Sequence, residues 1–237
     1  MINSIRNTVL AILNKNNYGY LSPSDFNLYA KQAQLEIFEN YFYNYNTQLN
    51  LENARKSGTD YANASKGILE TIDLFSVSAT LLQTDDDTNT LTLPSDYYLI
   101  NKVLYTTGGN VEIERVSQSK ITMLSNSILT APSKDFPAYS TEGSVMTVLP
   151  TTIATAEDVK AQYIRYPVAP KWTYSTVLEL QGPIFYEQAL DYQDFEIPLD
   201  NSIDLIIKIC QYAGIEIRSE MVYKFAKGEE QENNTQQ

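Results

Sequence analysis

Near Phe75 the spacing of the apolar residues changes. Before it they recur every three or four positions, after it they alternate, and from about Ile197 the longer spacing returns. A change of period is a change of secondary structure, because a helix turns by about 100° per residue and a strand by about 180°. A chain ordered this way must be built from helices, then strands, then a mixed final third.

The helical part has clear boundaries. Ile2, Ile5, Val9, Ile12 and Leu13 fall on one face of a first helix over residues 2 to 15. Asn and Gly in NKNNYGYL break the period, and Ser22-Pro23-Ser24-Asp25 then offers an N-cap, a proline at the first helical position and a carboxylate at the third. From there Phe26, Tyr29, Ala30, Ala33, Ile37, Phe38 and Tyr41 keep helical spacing, and the pattern runs through Leu49 towards Arg55 before Ser57-Gly58. A third helix is predicted between Tyr61 and Phe75, with Ile68, Leu69, Ile72 and Phe75 on one face across Gly67.

In the alternating part, Val77, Ala79 and Leu81 lead through the polar turn DDDTN to Thr90–Leu93, which reads as a hairpin. Leu99 to Tyr105 and Val111 to Val116 flank Gly108-Gly109-Asn110 and predict a second hairpin, its glycines supplying positive φ. A short helix within Gln118–Leu129 and strands near Tyr139, at Val145–Leu149 and at Val159–Tyr166 follow, separated by prolines. Residues 171 to 199 read as an irregular, aromatic connection. Asn201 and Asp204 then cap a helix carrying Ile203, Ile206, Ile207, Cys210 and Ala213, with Gly214 as its stop. A short helix over Glu220 to Ala226 precedes KGEEQENNTQQ, which is too polar to order by itself and reads as a flexible arm.

Composition narrows the chemistry. The 237 residues include 29 acidic and 17 basic side chains, a formal charge of −12, and no histidine. Such a chain repels nucleic acid, and without histidine it has no Ser-His-Asp or Cys-His arrangement, no histidine-ligated zinc and no imidazole base. Cys210 is the single cysteine, so neither an intrachain disulfide nor a thiolate zinc site is available. No stretch approaches the roughly 20 apolar residues of a membrane span, and the opening residues do not resemble a secretion signal. The reading is of a soluble protein made inside the cell.

Several clusters invite sharper readings. Asp85, Asp87, Asn89 and Asp96 match calcium-loop positions, but Thr90 stands where the loop needs glycine and the flanks read as strands, so a solvated hairpin tip is expected. Glu112, Glu114, Glu179 and Glu187 are available for a two-carboxylate glycosidase pair, with alternation placing Glu112 and Glu114 together on a wet strand face. Gly108-Gly109 lacks the spacing of a phosphate loop, and Cys210 lies among apolar residues as a packed thiol. No catalytic, cofactor or metal residue is assigned, and the chain reads as a non-enzyme.

Tyrosine is in excess, at 18 residues. Tyr41, Phe42, Tyr43 and Tyr45 lie at about 0°, 100°, 200° and 40° around their helix, wider than one core-facing stripe. Two readings stay open: some are core and the rest half-exposed, or they enter a subunit interface together with Trp172. Tyr223 and Phe225 are candidates for a partner-binding arm.

Three stretches carry a resemblance: ILNKNNYGYLSPSDFNLYAKQAQLEIFENYF; LPSDYYLINKVLY with IERV and YIRYPVAPKWTY; and FEIPLDNSIDLIIKICQYAGIEIR. Over nearly its whole length the chain resembles the head-to-tail connector proteins, also called adaptor or ring proteins, of short-tailed bacteriophages, most closely those of crAss-like phages. The resemblance implies an α+β fold. Residues 1–76 and roughly 200–227 would form a helical core closing around an antiparallel β-rich insertion at 77–170, with 171–199 connecting and 228–237 a flexible C-terminal arm. It also implies a twelve-subunit ring below the portal at the head–tail junction of the virion, assembled in the bacterial cytoplasm. Its partners would be itself, the portal and other tail or ring proteins, with no membrane contact and with DNA passing through unread. Twelve chains at −12 carry 12 × −12 = −144, and acidic groups facing the lumen would keep phosphates from sticking. The alternatives are a more distal ring or tail component, a carboxylate-dependent cell-wall glycan hydrolase, and a carbohydrate-binding module using Trp172.

Overall fold

The computed structural model describes residues 1–13, 21–55, 64–84, 89–107, 109–153, 158–175 and 183–216, with 224, 227 and 228; side chains at 51–55, 64, 215 and 216 are outside the description. The chain is α+β, with a helical part from its two ends and a β-rich insertion between them. It divides into two compact units, a helical unit of residues 1–71 and 167–237 and a β unit, Ile72–Tyr166.

In the helical unit, α1 (Ile2–Leu13) buries Ile2, Ile5, Val9 and Leu13 of the face its spacing defines; Ile12 is half-buried, and Arg6, a charged residue off that apolar spacing, is buried as well. The second helix, α2 (Pro23–Arg55), starts where the sequence places its cap: the Ser22 hydroxyl accepts from the Asp25 N–H at 3.2 Å and donates to the Asp25 carboxylate. Its buried stripe is Phe26, Ala30, Ala33, Ile37 and Tyr41, with Gln34 and Phe38 alongside, and among its described side chains none after Tyr41 is buried. The following helix, α3 (Ala64–Asp73), lies within the predicted range, of which residues 61–63 are outside the described residues; it turns Ile72 inward and leaves Leu69 outside, while Phe75 lies beyond its end.

The last helix, α5 (Ser202–Glu216), packs against both α1 and α2. Contact on two sides explains why burial runs almost around it, through Leu205, Ile207, Lys208, Ile209, Cys210 and Ala213. Ile203 faces outward, contrary to the sequence reading, and Leu205 takes the inner position. The helix also continues through Gly214 to Glu216, since packing outweighs the roughly 1 kcal/mol that a helical glycine costs. Most of the predicted final helix, Glu220 to Ala226, lies outside the described residues.

Trp172 ties this unit together. At 2% exposure it stacks on Tyr174 and Phe185 at 5.7 and 5.9 Å between centroids, and the Arg6 guanidinium lies 3.8 Å over its ring. Its indole N–H donates to Asn3 Oδ1 at 3.1 Å, and its backbone exchanges two hydrogen bonds with the Asn27 amide at 2.8 and 3.2 Å. Seven residues on, the buried Gln34 amide repeats the device, donating to the Val168 carbonyl at 2.8 Å and accepting from the Glu196 N–H at 3.1 Å. Helix α2 therefore satisfies the backbone of extended segments that no sheet pairs. Asp194 does the same for α1, accepting from the Met1 ammonium and the Ile2 N–H, both at 2.7 Å, and from the Phe195 N–H at 2.8 Å. Within the stretch read as irregular, two short strands, β10 (Tyr174–Ser175) and β11 (Ile184–Phe185), form an antiparallel pair.

Among the described residues the β unit contains two sheets built from nine strands (β1–β9) and a helix, α4 (Gln118–Ser125). The first sheet has the order β1 (Ser76–Thr80), β9 (Val159–Arg165), β4 (Tyr97–Tyr105), β5 (Val111–Glu112), all antiparallel. The second has the order β2 (Leu82–Gln83), β3 (Thr90–Thr92), β8 (Val145–Leu149), β7 (Ala138–Glu142), β6 (Glu114–Arg115). Both contribute to one core, with Val103, Tyr105, Val159 and Ala161 from the first and Leu91, Tyr139, Met146 and Val148 from the second.

The second predicted hairpin forms, between β4 and β5, but the first is redrawn: Val77 and Ala79 lie on β1, which pairs with β9, and only Leu82–Gln83 pairs with β3. Each long alternating run is cut in two by a buried residue, Leu81 or Ile113, at which the chain leaves one sheet and joins the other. The Leu81 N–H still donates to Val159 and the Ile113 N–H to Val103, while the Glu114 N–H already donates to Pro137. Strand β6 pairs with β7 in parallel, where antiparallel pairing was expected, because α4 carries the chain back to run alongside in the same direction. Gly109 and Asn110 take positive φ, 88° and 63°, in the β4–β5 turn.

Two outcomes follow. Trp172→Ala is expected to cost about 3–5 kcal/mol, read as a lowered denaturation midpoint by far-ultraviolet circular dichroism, since the change removes the chain's one indole fluorophore. Burial works to raise the Asp194 carboxyl, but the Met1, Ile2 and Phe195 hydrogen bonds prevail and hold it below the ordinary value. Its contribution is present at neutral pH and is lost as pH falls below about 4 through the lowered folded value. Asp194→Asn should flatten that acid limb of a stability-against-pH curve; an unchanged limb would remove Asp194 from the account.

Candidate subunit-contact site

The aromatic turn of α2 is divided by the fold. Tyr41 belongs to the core, and its hydroxyl donates to Asn201 Oδ1 at 2.9 Å. Burial, and then the Asp204 charge, push that hydroxyl far above the ordinary range. Phe42 is half-buried, edge-on to Phe38 at 5.1 Å between centroids, and Tyr45 is half-buried. Tyr43 is 70% exposed, opposite the stripe. The interface reading thus loses Tyr41 and Trp172, whose faces are taken up within their own unit, and keeps Tyr43 with the outer edges of Phe42 and Tyr45. The same burial removes Trp172 as a free platform for sugar. Tyr223 and Phe225 lie outside the described residues.

Neighbouring elements of the helical unit leave more large side chains in water. Leu199 and Ile203 stand exposed at the start of α5, and Tyr174, Ile184, Tyr186 and Leu190 stand exposed around the β10–β11 pair. Periodicity could not flag these. All but Ile203 lie on short or irregular elements, where no stripe separates an inner face from an outer one, and Ile203 sits in the first turn of α5, where spacing placed it inward.

Of the carboxylates read as a possible acid pair, the three that are described stand exposed. Glu112 and Glu114 are both exposed, on either side of buried Ile113, and belong to different ladders. Lys102 pairs with Glu112 at 3.1 Å. With Arg115 and Tyr139 these groups line an open groove of about 300 Å3, a mixed-charge surface of the β unit. Burial pushes the Tyr139 hydroxyl up, Arg115 opposing and Glu112 reinforcing. Glu187 is exposed in the helical unit, and Glu179 lies outside the described residues, as do Asp85, Asp86 and Asp87 of the calcium-like run and Gly108. Among the described residues no group of three or more acidic or cysteine side chains is placed to hold a metal ion. Burial pushes the Cys210 thiol up to about 11, the packed thiol of the sequence reading.

Among the described residues no helix is long and apolar enough to cross a membrane. No protein-family model matches the chain, and no curated protein matches it.

Tyr41 and Tyr43 should respond oppositely to substitution. Tyr41→Phe loses a partly buried hydrogen bond and should cost about 1 kcal/mol of stability. Tyr43→Ser should leave stability within about 0.5 kcal/mol of the parent and lower self-association in sedimentation velocity; a stable variant that associates as the parent does would take Tyr43 out of any contact.

Proposed function

We propose that this chain is a structural subunit of a virion, one copy in a ring at the head–tail junction of a short-tailed bacteriophage, docked below the portal and giving the genome a channel and the tail a platform. The observation that carries the reading is ordered apolar surface left uncovered. Tyr43 on α2, Leu199 in the turn before α5, Ile203 on α5, and a bulky segment after α4 stand in water on defined elements. Large apolar groups held rigidly at a surface are what protein contacts use, since little further ordering accompanies their burial. The sequence resemblance supplies the particular assembly, and the charge of −12 suits a channel that must release phosphate, with acidic groups of the ring facing the lumen. The expected partners are further copies, the portal and neighbouring tail or ring proteins.

Reconstitution with the purified portal of the same phage tests the reading. A ring seated on the portal by electron microscopy is the expected result. A portal that never binds under assembly conditions, with the chain found further down the tail by crosslinking within virions, would replace the connector by a distal ring component. Absence of the chain from virions would end the reading.

A further inference from the structure

The groove beside the Ile113 corner holds a polar group that the fold itself does not use. Tyr139 is 3% exposed, its ring belongs to the core of the β unit, and it lines the groove. A phenol buried this far ordinarily finds a hydrogen-bond partner. The Tyr139 hydroxyl has none among the described residues, and it is not sealed from solvent. Its oxygen therefore emerges from the core into the groove, with both its donor and its acceptor capacity unspent.

Two more donors stand in the groove without partners. Strand β6 pairs with β7 in the register that sets Arg115 opposite Tyr139, so the two side chains lie side by side on one face. Arg115 is exposed and makes no ion pair among the described residues. On β4 a register shift between Ile100 and Lys102 takes Asn101 out of the ladder with β9, and β5 does not reach it, so its side-chain amide stands on a bulge and makes no hydrogen bond among the described residues. The acidic groups oppose these donors only in part. Glu112 is held by Lys102 at 3.1 Å, and Glu114, in register with Ala138, lines the groove from the face opposite Arg115. The charges of Lys102, Arg115, Glu112 and Glu114 cancel, so the groove selects by the placement of its free donors and not by net charge. Burial keeps the phenol protonated at neutral pH, with Arg115 opposing and Glu112 reinforcing.

We propose that this groove is a carboxylate site, in which the Arg115 guanidinium takes the group as a fork while the Tyr139 hydroxyl and the Asn101 amide donate to it. A planar carboxylate matches the parallel N–H groups of a guanidinium, and its single charge suits a groove with one unpaired cation. A doubly charged phosphate would meet Glu112 and Glu114 at the same rim and be repelled more strongly. A small carboxylic acid and the acidic side chain or terminus of a polypeptide share this chemistry. The inference stands apart from the connector reading, since nothing in it requires a ring.

The test titrates the isotope-labelled full chain with N-acetylglycine, a free carboxylate, and with acetyl-Ala-Glu-Ala-amide, an acidic side chain, each beside its uncharged amide counterpart. Saturable binding of at least one acid in the millimolar range is expected, with amide chemical-shift changes centred on Asn101, Arg115 and Tyr139. Arg115→Gln alters an exposed position and Tyr139→Phe removes a hydroxyl that bonds to nothing, so both should melt as the parent does, and each should weaken binding about tenfold. Binding of N-acetylglycine alone assigns a free or terminal carboxylate, and binding of the peptide alone assigns an acidic side chain; either supports the site. Amide counterparts that bind as well as the acids, folded variants that bind as the parent does, or no saturable shift with either acid would overturn it. A Tyr139→Phe chain that melts well below the parent would show the hydroxyl already engaged and overturn it as well.

Discussion

The helical unit depends on what surrounds the indole of Trp172. Its ring is covered by Arg6 from α1, Tyr174 and Phe185, its N–H is taken by Asn3, and its backbone is held by Asn27 from α2. One side chain thus fixes two helices and an extended segment that are far apart in sequence. Such a segment can be buried only if its N–H and C=O groups find partners. Asn27 and Gln34 supply them, spaced by two turns of α2, and Asp194 returns the service at the start of α1. Once α1, α2 and the extended segments at 168–172 and 194–196 are joined, α5 has two helices to pack on. Its buried Lys208 then reaches Glu36 at 2.7 Å, with Tyr212 on the same carboxylate at 2.8 Å. A lysine in that position is tolerable because its charge is matched inside the unit.

The β unit solves a different problem, that of closing two small sheets over one core. Leu81 and Ile113 are the corners. Each ends a strand of the first sheet and begins one of the second, so adjacent residues of one alternating run hydrogen-bond to different ladders. The helix that follows the second corner exists to return the chain in parallel, and apart from Ile121 it owes little packing to its own unit. That economy leaves the segment after α4 ordered and apolar on the outside.

Some of this could be read directly from residues. The start of α2 could, because Ser22-Pro23-Ser24-Asp25 is a local hydrogen-bonding device whose atoms all lie within one turn. The stripe of α2 as far as Tyr41, the inner face of α1 and the α4 helix were legible for the same reason. The corners were not, since Leu81 and Ile113 look like any other apolar member of an alternation. Polar Asn27 and Gln34 sat beside an apolar stripe without saying that they faced inward. Tyr43 and Tyr41 are chemically alike, and only the packing of α5 and Asn201 separates the core tyrosine from the surface one.

What the sequence determined by itself is the class of the fold and the limits of its chemistry. Period, caps and turns are local and are encoded within a few residues, and a chain without histidine and with one cysteine carries those absences into any conformation. Tertiary structure decided which aromatic residues are spent on the core and which stand in water. Trp172 and Tyr41 went inward, while Tyr43, Ile128, Leu129 and Phe136 stayed out. Burial is a property of what comes to lie against a side chain, and the covering groups here are drawn from segments as much as 169 residues away, as with Asn3 on Trp172.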